Sequence, residues 1–438
     1  MEPKTSVDQY PKPPDYSVQG LHWTPTPYNS ATDQARFMDI AQQMGIKWIL
    51  LLDDGGGSSL EPNPYYAGES PVEMFLDRGM MPIIRFLEPC THRFSMRNED
   101  ALARLSVVYA AEGYRGIYFF WQNECEQVRE WDPLRVPRNW LYLVWRNFVM
   151  GAYKAQSLNQ KLITDNKVPS DFRICTGTPA LTSAILLDQD GERVNPFRDY
   201  MSEQERTDIF IDGYGWANIH NYPLNHPVDY PDDDVNKMAR PLTHEEYMAK
   251  LNEVDEKYRQ TVRPWVWEPW ETSEYHINLL RRQGVNPNAS LETDDACFRV
   301  YEGVENLLQQ ADDRVDLRDY VALGSSETGP VVDDRQDGRY ARTTPQYQVA
   351  TWDAMVNVAS QVKNYLFLCL WLVGVAELGI YTADSYEGQG LFTHRHDDPF
   401  LLKGVMPLVQ HLIDKKEQKP ADQPATSDVD SMEPSTIE

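Results

Sequence analysis

Short apolar runs alternate with longer amphipathic stretches along most of the 438-residue chain. Eight of the apolar runs have the length of a buried strand and end at polar or turn-forming residues. These predicted strands are 18–24, 47–53, 81–88, 116–124, 172–178, 212–222, 319–327 and 365–371. Four of the stretches between them have the apolar spacing of an amphipathic helix, at 31–45, 98–113, 139–156 and 347–362. The alternation predicts repeated βα units around a parallel sheet.

Eight such units in a chain of this length are the number that a (β/α)8 TIM barrel requires, so we expect this α/β fold over residues 18–415. A doubly wound sheet is the main alternative, but no glycine fingerprint for a dinucleotide follows the first strand. Residues 1–17 are expected to form an N-terminal extension, and the acidic residues 416–438 a disordered tail. Residues 223–292 exceed a minimal barrel, and we expect an enlarged loop and helix after strand 6 that walls the barrel mouth.

The composition restricts the partners of the protein. The formal net charge is −26, which disfavours nucleic acids and anionic membrane surfaces. The sequence has no apolar run of membrane-spanning length and no visible signal peptide, so we expect a cytoplasmic protein, or a secreted one whose leader has been removed. The five cysteines are scattered and lie mostly in strand-like runs, which predicts buried thiols and no disulfide framework.

Two predicted strands end on carboxylates. Strand 4 reads IYFFWQNE and closes on Asn123 and Glu124, and strand 7 closes on Glu327. In a barrel these residues would meet across the mouth, as the acid and the nucleophile of glycoside hydrolysis must. We expect the preceding aromatic residues and the charge of Glu327 to raise the pKa of Glu124, and the neighbouring Ser and Thr hydroxyls to keep Glu327 ionised.

With these residues the chain resembles the clan A glycoside hydrolases, which are retaining enzymes on a (β/α)8 barrel. The resemblance extends over residues 18–412 and does not single out one family within the clan. It implies that Glu124 is the acid/base, that Glu327 is the nucleophile and that Asn123 binds the sugar 2-hydroxyl. Cys125 stands where members of the clan usually carry proline.

Further substrate-site positions follow from the resemblance and from the aromatic content. The resemblance implies that Arg85 pairs with the nucleophile, that His220 or Tyr222 contacts one of the two carboxylates, and that Trp371 floors the subsite at the cleavage point. Aromatic rings suit the apolar faces of sugars, and strand ends and the predicted wall supply further candidates. These additional candidates are Trp23, Trp121 and Trp267.

The sequence therefore predicts a retaining hydrolase that cleaves β-glycosidic bonds of an oligo- or polysaccharide through a glycosyl-enzyme, without a cofactor or a metal. The alternative is a catalytically silent barrel that binds carbohydrate within a larger assembly. An aldolase-like barrel would require a lysine at a strand end, and none of the eight ends carries one. Histidines and aspartates in 393–398 and the pair Asp53 and Asp54 lack the spacing of a zinc or calcium loop. The sequence does not indicate the sugar, the linkage or an oligomeric state.

Overall fold

A closed barrel of eight parallel strands forms the centre of the fold, and the strands follow one another around it in chain order. The computed structural model describes residues 6–23, 31–132, 134–238, 245, 290–295, 297–330, 340, 343–371, 374–375, 392–393 and 406–418. The strands are β1 Gln19–Trp23, β2 Trp48–Asp53, β3 Met81–Phe86, β4 Gly116–Phe120, β5 Arg173–Gly177, β6 Gly215–His220, β7 Ala322–Thr328 and β8 Tyr365–Leu370. All eight predicted strands are confirmed, and with them the (β/α)8 fold.

Helices cover the outside of the barrel. They are α1 Ala31–Gln43, α2 Pro71–Leu76, α3 Met96–Ala111, α4 Trp140–Thr164, α5 Pro196–Asp199, α6 Glu203–Arg206, α7 Asp234–Met238, α8 Val300–Gln309, α9 Pro345–Gln361 and α10 Met406–Glu417. The four predicted helices correspond to α1, α3, α4 and α9, and α4 continues well beyond its predicted end. Within the described ranges, no helix has both the length and the apolar character needed to cross a membrane.

Some predicted segments lie outside the described residues. These are most of the 223–292 insertion, including Trp267, and residues 419–438 of the predicted tail. The first two residues of that tail belong instead to α10, which ends at Glu417. A pair of two-residue strands, β9 Gly374–Val375 and β10 Phe392–Thr393, lies outside the barrel sheet.

The N-terminal extension packs against the barrel at the N-terminal ends of its strands. The buried Tyr10 hydroxyl donates to the carbonyl of Gly215, at 2.5 Å, where β6 begins. In return, the hydroxyl of Tyr118 on β4 donates to the carbonyl of Pro11, at 2.9 Å. These buried hydrogen bonds join the extension to two strands, so this end of the barrel is covered by the chain itself.

The barrel interior changes from aromatic to polar along the strand direction. Rings from alternate strands pack together in its middle, with Trp48 5.3 Å from Tyr118 and Trp216 5.2 Å from Phe367. Further towards the C-terminal ends of the strands, inward positions carry polar side chains, of which His22 and His220 are fully buried. The aromatic layer in the middle of the barrel excludes water, and the ionisable side chains lie towards the C-terminal ends of the strands. The candidate site is therefore at the C-terminal mouth.

Candidate active site

Glu124 and Glu327 lie side by side at the C-terminal mouth of the barrel. One oxygen of each carboxylate and a ring nitrogen of His220 all lie within 4.8 Å of one another, and all three residues are buried. A retaining pair of carboxyl groups is separated by roughly 5 to 5.5 Å. The separation therefore suits a nucleophile and a proton donor that act on the same anomeric centre.

Glu327 accepts hydrogen bonds from two residues that belong to different strands or strand ends. Arg85 on β3 donates to Oε1 at 3.0 Å, and the hydroxyl of Tyr222 donates to Oε2 at 3.0 Å. Nε2 of His22 lies 3.8 Å from Oε1. Burial, Arg85 and His220 lower the pKa of His22, so the neutral imidazole is favoured there. A guanidinium and a phenol thus contact the two oxygens of Glu327.

The hydroxyls next to Glu327 in the sequence have other partners, contrary to the sequence-based expectation. Ser325 donates to the side-chain oxygen of Asn221, and Thr328 donates to the backbone carbonyl of that residue. Ser326 lies 2.9 Å from Nε2 of His220. The residues that contact Glu327 come from distant parts of the sequence, because the barrel brings β1, β3 and β6 together.

Glu124 receives three donors, and this overturns the expected direction of its pKa. Nδ1 of His220 lies 2.9 Å from Oε1, while Gln127 and Arg129 donate to Oε2 at 2.6 and 2.8 Å. Burial favours the protonated form, but the hydrogen bonds and charges of His220 and Arg129 outweigh it and lower the pKa of Glu124 to about 2. In this arrangement Glu124 is ready to act as a base, and it must lose donors before it can act as an acid.

His220 connects the two carboxylates. Its Nδ1 lies 3.6 Å from Oε2 of Glu327 in addition to its contact with Glu124. Burial opposes the charged imidazolium, but Glu327 and Glu124 outweigh that cost and raise the pKa of His220. The residue is positioned to respond to a change in the charge of either carboxylate.

The loop after β4 carries Glu124 in an unusual backbone conformation. Its φ is +35°, in the left-handed region that non-glycine residues rarely adopt. The next residue, Cys125, forms a disulfide with Cys90 from the loop after β3. The indole of Trp131 donates to the Cys125 carbonyl at 2.7 Å, and the backbone N–H of Cys90 donates to the Glu130 carbonyl at 2.7 Å. A covalent bond and two buried hydrogen bonds thus fix the loop around Glu124.

The disulfide corrects the prediction of five thiols, because only Cys175, Cys297 and Cys369 remain free. We expect denatured, unreduced protein to react with three equivalents of a thiol reagent, and reduced protein with five. The variant Cys90→Ala/Cys125→Ala should lose about 2–4 kcal/mol of unfolding free energy, because the bond closes a long loop. Guanidinium titration measures this loss. Five reactive thiols without reductant, or an unchanged midpoint, would contradict the assignment.

A cavity of about 670 Å3 opens above the two carboxylates. Its lining includes seven of the residues that the sequence predicted for the site: Arg85, Asn123, Glu124, His220, Tyr222, Glu327 and Trp371. Trp371 is half-buried and its ring lies 4.2 Å from that of His22. The buried Oδ1 of Asn123 has no hydrogen-bond partner among the described residues. An amide oxygen of this kind is suited to accept from a substrate hydroxyl.

Two predicted aromatic positions do not belong to this cavity. Trp121 directly follows β4 and packs against Phe119 and Phe94, with ring centroids 6.0 and 5.3 Å away. Phe119 lies on the outer face of the strand, because side chains alternate and Tyr118 points into the barrel. Trp23 also points outward, packing on Phe75 and donating to the hydroxyl of Tyr66. Both tryptophans are buried between the barrel and its surrounding helices and loops. Their prediction as substrate platforms is wrong for this structural reason.

The loop after β4 also contributes cavity residues that the sequence reasoning missed. These are Glu126, Gln127, Arg129 and Glu130. The last two lie in a short 3-10 helix, Val128–Glu130, that returns their side chains towards the site. The signal was available in the polar run CEQVRE directly after a buried strand.

Glu124, His220 and Glu327 are close enough to ligate one metal ion. However, Arg129 and Arg85 already contact the two carboxylates at 2.8 and 3.0 Å. A divalent cation would have to approach these guanidinium groups, so the charge arrangement suits a proton and a neutral sugar better than a metal.

The likeness of this chain to known proteins is one of fold. No protein-family profile matches the sequence, and no curated protein matches it. Among solved structures, the chain is similar to a family 39 glycoside hydrolase from Bacteroides cellulosilyticus WH2, with 11% identity and a TM-score of 0.41 over 94% of this chain and 65% of the other. It is similar to an exo-β-1,4-mannosidase from Opitutaceae bacterium strain TAV5, with 11% identity and a TM-score of 0.44 over 92% of this chain and 60% of the other.

A family 1 β-glucosidase from Thermotoga maritima is similar over its whole length and over 94% of this chain, with 11% identity and a TM-score of 0.41. The chain spans less than two thirds of the family 39 enzyme and of the mannosidase.

Proposed function

We propose that the protein is a retaining glycoside hydrolase that cleaves β-glycosidic bonds of an oligo- or polysaccharide by double displacement. The observation that carries this proposal is the pair Glu124 and Glu327, whose oxygens lie within 4.8 Å of each other at the barrel mouth. Glu327, paired with Arg85, attacks the anomeric carbon while Glu124 delivers a proton to the leaving oxygen. Water activated by Glu124 then hydrolyses the glycosyl-enzyme.

The cavity lining supports a carbohydrate as the substrate. Asn123 offers an amide oxygen that has no hydrogen-bond partner in the described ranges, and Trp371 offers an aromatic face. Neutral sugars need both kinds of contact, hydrogen bonds for hydroxyls and apolar faces for C–H groups. The strongly acidic composition agrees with a neutral ligand.

The disulfide supports an oxidising compartment, because structural disulfides persist there and are rare in the cytosol. Of the two locations considered for the sequence, a secreted protein fits this bond better than a cytoplasmic one.

Trapping of the glycosyl-enzyme tests the proposal. We expect one 2-deoxy-2-fluoro glycosyl fluoride, from a panel of β-configured gluco, manno, galacto and xylo sugars, to add a single glycosyl mass to the intact protein. Proteolysis and mass spectrometry should place the adduct on the peptide that contains Glu327, and Glu327→Gln should remain unlabelled. The sugar that labels names the preferred glycone. An adduct elsewhere contradicts the site, and a folded protein that no sugar labels favours the silent carbohydrate-binding barrel.

A further inference from the structure

Five charged side chains of alternating sign connect the two proposed catalytic carboxylates. In order they are Glu124, Arg129, Glu130, Arg85 and Glu327, and we call them the charge row. Arg129 lies 2.8 Å from Glu124 through Nη2 and 3.7 Å from Glu130 through Nε. Arg85 lies 3.6 Å from Glu130 through Nη2 and 3.0 Å from Glu327 through Nη1. Each arginine is thus shared between Glu130 and one catalytic carboxylate.

Glu130 is the centre of the charge row and is held in place from several directions. Its side chain is only 18% exposed, and Asn123 donates to its Oε1 at 3.3 Å. Its backbone carbonyl accepts from Cys90, the partner in the disulfide beside Glu124. A carboxylate with these contacts draws both arginines away from the catalytic pair without being able to move far itself.

Other charged and polar groups face the two catalytic carboxylates and have to be considered. Glu124 faces His220 from β6 and Gln127 and Glu126 from its own loop. Glu327 faces Tyr222 and His220 from the β6 side. It also faces His22 from β1, at 3.8 Å. None of these groups contacts both arginines of the charge row in the described part of the chain, whereas Glu130 does.

We propose that Glu130 is a positioning residue that divides Arg129 and Arg85 between itself and the catalytic carboxylates, and thereby sets the pH range in which Glu124 is protonated while Glu327 is ionised. This rests on the proposed glycoside hydrolase function. Without the charge of Glu130, each arginine interacts more strongly with its catalytic carboxylate, Glu124 for Arg129 and Glu327 for Arg85. Each arginine then favours the ionised form of that carboxylate. Without Arg129, Glu124 loses a cation and a donor, and its protonated form is favoured.

Opposite pH shifts in two variants test the proposal. The pH profile of kcat/KM has one limb set by the proton donor Glu124 and one set by the nucleophile Glu327. Arg129→Gln should move the Glu124 limb upwards by about half to one pH unit, a modest shift because Arg129 is largely exposed. Glu130→Gln should move both limbs downwards by a similar amount. A purely structural role for Glu130 would lower kcat without moving either limb.

The double variant shows whether Glu130 acts on Glu124 through Arg129 or through direct charge repulsion between the two carboxylates. In the Arg129→Gln background, Glu130→Gln should no longer move the Glu124 limb, but it should still lower the Glu327 limb through Arg85. Glu126→Gln is the matched control, since this carboxylate lies on the same loop and accepts from Thr182 at 2.6 Å, outside the charge row. It should move the Glu124 limb less than Glu130→Gln does. Additive shifts in the double variant, or equal shifts in the control, would overturn the proposal.

A measurement that does not require catalysis distinguishes failure of the Glu130 proposal from failure of the proposed function. Titration of carboxyl carbons in protein labelled with 13C at glutamate Cδ follows Glu124 directly, with Glu124→Gln for assignment. If wild-type protein hydrolyses a glycoside and the limbs do not move, the charge row is wrong and the function stands. If no glycoside is hydrolysed, the function fails, and a lower Glu124 titration midpoint in Glu130→Gln than in wild type, a difference that Arg129→Gln should abolish, still supports the charge row. An unchanged midpoint rejects it.

Discussion

Glu327→Ala is expected to abolish turnover of an activated aryl glycoside, with kcat lower by about 10,000-fold or more. The substitution removes the carboxylate that forms the glycosyl-enzyme and leaves Arg85 and Tyr222 without the partner that they contact at 3.0 Å. The loss should lie in kcat more than in KM, because the bond to the anomeric carbon forms only in the transition state. Steady-state kinetics with a dinitrophenyl glycoside measures both constants.

Azide rescue and a matched carboxylate variant complete this test. Azide can enter the space left by Glu327 and attack the anomeric carbon directly, so the product of the rescued variant should be the α-glycosyl azide. Glu205→Gln is the control, since Glu205 is also a largely buried carboxylate bound to an arginine, Arg146, at 2.7 Å, but lies on the outer helix α6. It should retain wild-type turnover. Substantial turnover by Glu327→Ala, or a β-azide product, would exclude Glu327 as the nucleophile.

The barrel could be predicted from the sequence because its strands are buried on both faces and therefore appear as short continuous apolar runs. The same property hid which side chains point inward. In IYFFW every position is apolar, so the pattern does not distinguish Trp121, which packs against Phe119, from the inward residues Tyr118 and Phe120. The strand also ends at Phe120, which leaves Asn123 and Glu124 in the following loop.

Contacts within the site were less predictable than its carboxylates. Glu124 and Glu327 are marked by their places after apolar runs, but the partners that set the charge of Glu124 depend on a 3-10 helix at Val128–Glu130 and on β6. The disulfide could in principle be predicted from the sequence, because Cys90 and Cys125 follow neighbouring strands at the same end of the barrel. The local sequence around each cysteine does not show this proximity, which arises from the pairing of β3 with β4.

Glu124→Ala is expected to act mainly on substrates with poor leaving groups. Loss of a general acid costs about 100- to 10,000-fold in rate, and that cost disappears when the leaving group needs no proton. Formation of the glycosyl-enzyme from a dinitrophenyl glycoside should therefore stay fast in the variant, while its hydrolysis becomes slow because the base is also missing. A burst of dinitrophenolate followed by slow turnover, measured by stopped-flow absorbance, would show this.

The pH dependence of the same variant follows from the donors around Glu124. Because His220 and Arg129 hold the pKa of Glu124 at about 2 despite its burial, the protonated donor is scarce at neutral pH and becomes more abundant as the pH falls. Wild-type kcat/KM for a poor leaving group should therefore rise on acidification from neutral pH, until protonation of the nucleophile stops the increase. Glu124→Ala has no such donor and should lose this rise.

Azide distinguishes Glu124 from Glu327 by stereochemistry. In Glu124→Ala the nucleophile is intact, so azide attacks the glycosyl-enzyme and should release the β-glycosyl azide, the opposite anomer to that from Glu327→Ala. Azide should also accelerate the slow phase after the burst, because an anion needs no base. If Glu124→Ala lacked the burst and gave no azide product, the proton donor would have to be sought among the other carboxylates of the cavity, with Glu126 on the same loop as the next residue to test.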